Sequence, residues 1–420
     1  MNTLGLKRPA LALIILLLQC ACASTQTSNQ TAIDQGDYLS RAQSQTEDEV
    51  TVVASVPSKD EAQALFGAPL YSRGVQPVWL EITNNRDTAI SFLPVGLDPQ
   101  YFSPIEAANL DLKLGSARLS PTIDPKFFAQ SMRTSIPPGE TESGFVFSAL
   151  DEGTKAFNVD IVSDDLLITF TFFIQVPGLH VDHYNVDWKN IYPPGDIRDL
   201  NGEQMIEYLE AQTCCTSDKK GSGSGDPVNL VVIGNHEDVY AAFIRADWDE
   251  TETVTGGTTL KTIKSFLAGS EYRYSPVSGL YVYERPQDVA FQKARSNIHE
   301  RNHLRLWMAP VTLDGVPVWL GQISRDIGVR FTTKTITTHK IDPDVDETRE
   351  FLLEDLAYSQ ALLQFGYVEG AIPAPINAPR GNLTGDPYFT DGYRVVLWVT
   401  SQPVDIGDIE FVEWRRPENL

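Results

Sequence analysis

The sequence predicts a multidomain protein: an N-terminal all-β, immunoglobulin-like sandwich, then a mixed α/β domain built on a largely antiparallel sheet with helices. Three observations carry this expectation. At 420 residues the chain exceeds one average domain. From Glu49 to about Gly178, short apolar runs of period two alternate with turn residues; beyond Asn201, strand-like runs alternate with segments of helical period. Residues 179–201, rich in Tyr, Trp, Pro and Asp, separate the two patterns as a linker.

The first residues are set apart from the fold. Lys7 and Arg8 precede an unbroken apolar run, Leu11 to Leu18, and small residues follow at Ala21, Cys22, Ala23 and Ser24, which together read as an export signal over residues 1–23. The run is too short to span a bilayer stably. Two processing routes compete. Ala21-Cys22-Ala23 fits the small-x-small rule of ordinary cleavage, whereas a cysteine just behind the apolar run marks a lipoprotein diacylated at Cys22 or Cys20, with Gln19 an imperfect fit to either lipobox. The Ser/Thr/Gln-rich residues 24–48 read as a polar tether and favour lipidation. Neither cysteine is followed by Asp, so the expected location is the periplasmic face of the cell envelope, as an outer-membrane lipoprotein attached to the membrane through its N-terminal lipid. An envelope protein is the partner class this implies. A formal net charge of −23 repels nucleic acid, which is excluded as a partner.

Within residues 49–178, Asp60 to Phe66 is a short helix; Val78 to Thr83 and Thr88 to Leu93 flank the turn Asn84-Asn85-Arg86-Asp87; Thr141 to Phe147 and Leu166 to Val176 supply further strands. Within residues 202–402, a helix is expected at Gly202 to Gln212, a Gly/Ser loop at Gly221 to Gly225, and an apolar strand at Val228 to Gly234. Asn235 caps a helix reaching about Trp248, with Asp238 at its third position, and another helix spans Thr258 to Leu267. Strands follow at Leu280 to Glu284, His303 to Met308, Val316 to Ile323, Ile327 to Phe331 and Thr335 to His339. A long helix, Pro343 to Leu363, with Asp342 as N-cap precedes a last strand, Tyr393 to Thr400, and residues 403–420 form a tail.

Chemistry-bearing residues concentrate between Leu280 and Glu347. His299-Glu300-Arg301-Asn302-His303 satisfies HExxH, but a zinc protease needs both histidines on one helix face, and His303-Leu304-Arg305-Leu306-Trp307 leaves the motif in strand alternation. His299 and His303 are therefore only secondary metal candidates, and no cofactor is expected. His303 and Arg305 share one strand face, and with Asp326 and His339 they form the candidate set for an anion pocket or an acid–base centre. Arg285, Arg301, Arg325 and Arg349 are further cations for such a pocket or for structural ion pairs, while Asp342, Asp344, Asp346 and Glu347 read first as helix-capping acids. His236 opens a helix without a Gly-rich phosphate loop, and His180 and His183 have no evident partner. Adjacent Cys214 and Cys215 cannot form a zinc site alone; a vicinal disulfide and two free thiols both remain open.

The ordered motifs Gly225 to Gly234, Leu280 to Lys293, His303 to Trp307, Val318 to Gly321, Arg325 to Gly328 and Thr338 to Asp346 together resemble the LssY C-terminal domain family, over about half the chain, from Tyr192 to Trp398. The resemblance implies a bacterial envelope protein whose domain has no defined activity of its own. Relatives of this kind are often fused to membrane regions similar to DedA and to lipid-phosphate phosphatases, and their name reflects a link to type I secretion. This chain shows neither a membrane bundle nor the phosphatase motifs, so phosphatase activity is not carried over. The expected function is a non-catalytic binding or scaffold protein; the alternative is a hydrolase or anion-binding protein using a His/Arg/Asp cleft.

Overall fold

The computed structural model describes residues 37–110, 124–164, 166–178, 186–188, 190–251, 279–294, 301–330 and 338–417. The chain divides into two compact units, residues 1–37 and 38–420, and the fold described here is that of the second. The export signal with Cys20 and Cys22, His180, His183, the helix expected at Thr258–Leu267, and His299 lie outside the described residues.

Residues 43–175 form two four-stranded antiparallel sheets. The first runs β1 (Gln43–Glu47), β2 (Val50–Ser55), β3 (Val75–Asn84), β6 (Thr141–Ala149); the second runs β5 (Ser135–Ile136), β4 (Ile90–Leu93), β7 (Thr154–Ser163), β8 (Leu166–Gln175). Alternation decides the faces: Val50, Val52, Leu80 and Ile82 from one sheet meet Val159, Ile161, Phe170 and Phe172 from the other in a single apolar cluster. Each such side chain contributes about 1.5–3 kcal/mol on full burial. Helix α1 (Lys59–Phe66) starts at Ser58, whose hydroxyl accepts from the Glu61 amide while Glu61 reaches back to the Ser58 amide, and stops at Gly67, whose left-handed φ of 68° glycine adopts without the strain a Cβ would bring. Helices α2 (Pro94–Leu97), α3 (Pro104–Ala108) and α4 (Pro125–Ala129) are single turns. Strand β1 is drawn from the polar sequence read as the end of the tether.

Beyond the linker sequence, short strands β9 (Arg198–Leu200), β10 (Cys215–Ser217), β11 (Ser224–Pro227), β14 (Tyr281–Val282) and β15 (Arg285–Pro286) surround a large sheet. That sheet runs β13 (Asp249–Glu250), β16 (Val289–Ala294), β17 (Arg301–Leu313), β18 (Val316–Arg330), β12 (Leu230–Ile233), β23 (Tyr393–Val399), β20 (Leu362–Glu369), β24 (Glu410–Val412), with β19 (Thr338–Ile341) on β18 and β9 on β17. β21 (Arg380–Gly381) and β22 (Pro387–Tyr388) form a separate hairpin. Pairing is mostly antiparallel, with parallel contacts at β12–β23, β20–β24 and β9–β17. Central β12 is buried on both faces. Leu230 and Val232 pack with α6 (His236–Arg245) and α7 (Val345–Tyr358), whereas Val231 and Ile233 pack on the side of α5 (Gly202–Glu210).

Several element expectations change. Leu280–Glu284 is no continuous strand: Tyr283 and Glu284 take positive φ, 51° and 59°, and turn β14 into β15. The two strands expected at Val316–Ile323 and Ile327–Phe331 are one, β18. The long helix ends at Tyr358 rather than Leu363; Gln360 takes φ of 62°, and Leu362–Glu369 is a strand that pairs with β23. Its N-cap is Asp344, which accepts from the Glu347 amide, while Asp342, two residues earlier, accepts from the Asp344 amide. Helix α6 stops at Arg245, and Asn235 caps it through the Asp238 amide.

The sheets of the two halves meet around buried Glu250, which accepts from the Thr154 amide at 2.9 Å and the Thr154 hydroxyl at 3.2 Å. Burial pushes its carboxyl up to about 7. A buried arginine organises the other side of the large sheet. Arg394 on β23, fully enclosed, donates to the carbonyls of Val228 (2.9 Å), Leu209, Gln212 (3.4 Å), Thr213 (2.7 Å) and Gly370 (2.9 Å). Burial lowers its guanidinium to about 10, so it stays charged at neutral pH. Gly370 must be glycine, since its φ is 151° and a Cβ there would collide with the Arg394 guanidinium. Arg394→Met leaves these carbonyls buried without their donor, and a loss of about 3 kcal/mol or more in denaturant unfolding is expected; a change below about 1 kcal/mol would show that Arg394 is not the organising contact.

Candidate functional site

Strand β17 changes character along one face. At Trp307, Ala309 and Val311 that face is apolar and packs on the side of α5; at Arg301, His303 and Arg305 the same face is polar, yet still buried. The neighbouring strands match it. Antiparallel register sets His303 opposite Ser324 and Arg305 opposite Gln322 on β18, and His303 opposite Gln292 on β16. Gln292 and Gln322 are fully buried, and Ser324 and Asp326 nearly so. The other face of these strands carries Phe291, Leu304, Leu306 and Ile323 into the core under α6 and α7.

Three cross-strand contacts organise the polar row. Arg301 Nη1 donates to Gln292 Oε1 at 2.8 Å, Arg305 Nη1 donates to Gln322 Oε1 at 2.8 Å, and His303 Nε2 lies 2.6 Å from Asp326 Oδ2. Gln322 spends its carbonyl on Arg305, and its Nε2 has no hydrogen-bond partner among the described residues. An enclosed amide N–H without an acceptor costs about 1–3 kcal/mol, so the position favours an incoming oxygen. Asp226 at the end of β11 is the second acid here; its carboxylate accepts from Asn382 Nδ2 at 2.8 Å, and its charge acts on Arg305.

Burial dominates the electrostatics. It holds His303 below the ordinary histidine range, against the upward pull of Asp326, so the imidazole is neutral at pH 7. It pushes Asp226 up towards the protonated form, against its bond from Asn382, and lowers both Arg301 and Arg305, which remain cations. In the tautomer in which Nε2 donates to Asp326 Oδ2, the lone pair of His303 is on Nδ1, the arrangement of a general base oriented by a carboxylate.

Of the sequence-selected residues, the fold brings His303, Arg305 and Asp326 together and adds Arg301. His339 is not shown to join them: its backbone pairs with Val329, and its side chain lies outside the described residues. Of the HExxH string, Arg301, Asn302 and His303 lie on strand β17 rather than on a helix, and His299 lies outside the described residues. Among the described residues no three His, Cys, Asp or Glu side chains are grouped to hold a metal ion. The other arginines serve the scaffold. Arg285 clasps Asp288 with two bonds, Arg325 reaches Glu347 at 2.5 Å across α7, and Arg349 binds Asp346, Glu350 and Asp391. His236 stacks on Trp188 at 5.7 Å. A cavity of about 280 Å³ opens elsewhere, between β7–β8 and the end of α6, and none of the candidate residues lines it.

Asp226, Gln292, Gln322 and Ser324 were missed by sequence reasoning. Alternation on β18 carried the signal for Gln322 and Ser324, since both share the parity of Asp326; Asp226 had none, because it enters from a short strand of another sheet. Residues 206–393, which contain every member of this cluster, match the sequence model of the family described as LssY C-terminus. This part of the chain is an LssY C-terminal domain. No curated protein matches the chain.

The LssY C-terminal domain thus carries a neutral His303 whose pKa is depressed. A histidine of this kind costs stability as pH falls below 6.5, because the unfolded chain takes up the proton first. The His303 imidazole is expected to titrate below its ordinary value in an NMR pH series, and Asp326→Asn to lower it further by removing the attractive charge. A normal or raised value in the wild type would refute the buried neutral pair.

Proposed function

We propose that this protein is an exported envelope lipoprotein, in which an immunoglobulin-like sandwich presents an LssY C-terminal domain that binds an anionic, oxygen-bearing group on its polar strand face. The observation that carries this reading is the row Arg301, His303, Arg305 with the Nε2 of fully buried Gln322 beside it, which has no acceptor among the described residues. An oxyanion placed between Arg305 and Gln322 would accept from a guanidinium and an amide at once, and it would favour the charged guanidinium that burial disfavours. The overall charge of −23 opposes anion approach, so such binding is local and selective rather than a field effect. The two four-stranded antiparallel sheets over one core support the sandwich part of the reading, and the apolar run Leu11 to Leu18 with the cysteines behind it supports export and lipidation.

The 2.6 Å contact between His303 Nε2 and Asp326 Oδ2 favours a second reading, acid–base hydrolysis of a bound ester. One experiment separates the two. In calorimetric titration with inorganic phosphate, pyrophosphate and citrate, at least one probe is expected to bind the wild type, and Arg305→Gln to weaken it by about tenfold or more, about 1.4 kcal/mol. No binding by any of the three, or equal binding by the variant, would refute the anion site; hydrolysis of a phosphate or carboxylate ester that disappears in His303→Gln would favour the hydrolase. For the anchor, palmitate labelling in a bacterial host is expected to vanish when Cys20 and Cys22 are both changed to Ser. Labelling that persists would exclude lipidation at these cysteines.

A further inference from the structure

The adjacent cysteines are bridged: Cys214 and Cys215 form a disulfide at sequence separation 1, at the start of β10, whose partner β11 carries Asp226. A bridge of this kind is a poor stabiliser. It closes the smallest loop a chain can make, so it removes very little entropy from the unfolded state. Its surroundings are also held without it. The Cys214 carbonyl accepts from the Val228 amide at 2.9 Å, Cys215 pairs with Pro227 across β10–β11, and Arg394 holds the Thr213 carbonyl at 2.7 Å. The bond is thus dispensable to the fold.

Its position gives it another use. Cys214 is partly exposed, whereas Cys215 is buried with its Sγ 3.8 Å from the hydroxyl of buried Tyr388. Cys215 also leads directly into the cluster. The next residue, Thr216, donates to the Asp226 carbonyl at 3.2 Å, and the Asp226 carboxylate accepts from Asn382 at 2.8 Å. We propose that Cys214–Cys215 is a reversible thiol–disulfide modification site, reduced by a dithiol, whose state shifts β11 and the Asp226 it carries. A thiolate of the dithiol attacks Cys214 Sγ, the accessible sulfur; the Cys214–Cys215 bond breaks and Cys215 leaves as a thiolate, to which the Tyr388 hydroxyl can donate. The second thiolate of the donor attacks its own sulfur in the mixed disulfide and releases Cys214. Two protons complete the pair of thiols, so the protein gains two electrons and two protons and the dithiol loses the same. The effect on ligand rests on the anion-binding reading above; the chemistry of the bridge does not.

The test uses the full chain treated with dithiothreitol under native conditions, then iodoacetamide, with peptide mapping to separate this pair from Cys20 and Cys22. Both Cys214 and Cys215 are expected to carry the label while the near-ultraviolet circular dichroism of the folded state persists, and oxidised dithiothreitol is expected to restore the bridge. Label that enters only after unfolding in guanidinium chloride would overturn the modification site. Coupling is read without any ligand, from the His303 imidazole resonance, identified by its loss in His303→Gln. Reduction and the double variant Cys214→Ser/Cys215→Ser are expected to shift it alike. A resonance that stays in place through both would overturn the link to the cluster, whatever the outcome of the binding experiment.

Discussion

The buried guanidinium of Arg394 is the constraint on which the C-terminal half is assembled. A cation with no carboxylate partner in contact among the described residues is tolerated in a core only where its donors are satisfied, and here backbone carbonyls from the end of α5, the approach to β12 and the end of β20 converge on it. The consequence runs on to the polar face. Val228, which accepts from Arg394, precedes Asn229; that fully buried amide accepts from the Ile323 amide at 3.0 Å and donates to the carbonyls of Ile323 at 3.1 Å and Val345 at 3.3 Å. Ile323 lies between Gln322 and Ser324. The strand carrying half of the candidate site is therefore registered through a chain of side-chain to backbone bonds that begins at Arg394.

The polar row shows what such a scaffold permits. Two arginines, a histidine and two aspartates in a buried patch would be ruinous as isolated charges, and the fold limits the cost in two ways. Neutral amides, Gln292 and Gln322, accept from the guanidinium groups of Arg301 and Arg305, and His303 gives up its proton rather than its burial. What remains is a row of directed donors on three neighbouring strands, whose rigidity suits recognition. Strands fix side-chain direction more closely than loops do.

Much of this was legible in the primary structure, for a definable reason. Strand alternation correctly placed His303 and Arg305 on one face, and the same alternation argued against reading His299 to His303 as a zinc helix. Local cap chemistry identified α6 at its first residue, since Asn235 accepts from the Asp238 amide three residues on. Failures came where no local signal exists. Leu362 to Glu369 carried apolar residues compatible with helix or strand, and only pairing with β23 decides for strand. The N-cap moved from Asp342 to Asp344 because Asp342 is held by the register of β18, its amide donating to the Arg325 carbonyl at 2.7 Å.

The sequence by itself determined the family of the C-terminal domain, the predominance of strands, the Asn235 cap of α6 and the shared face of His303 and Arg305, because each depends on residues within a few positions of one another. Only the tertiary structure decided that Asp326 would reach His303, that Asp226 would arrive from another sheet, that Gln322 would keep an amide N–H without an acceptor among the described residues, and that Arg394 would be buried among carbonyls. These depend on register and burial between segments far apart in the chain, and the free energies involved come from desolvation that no local window of sequence contains.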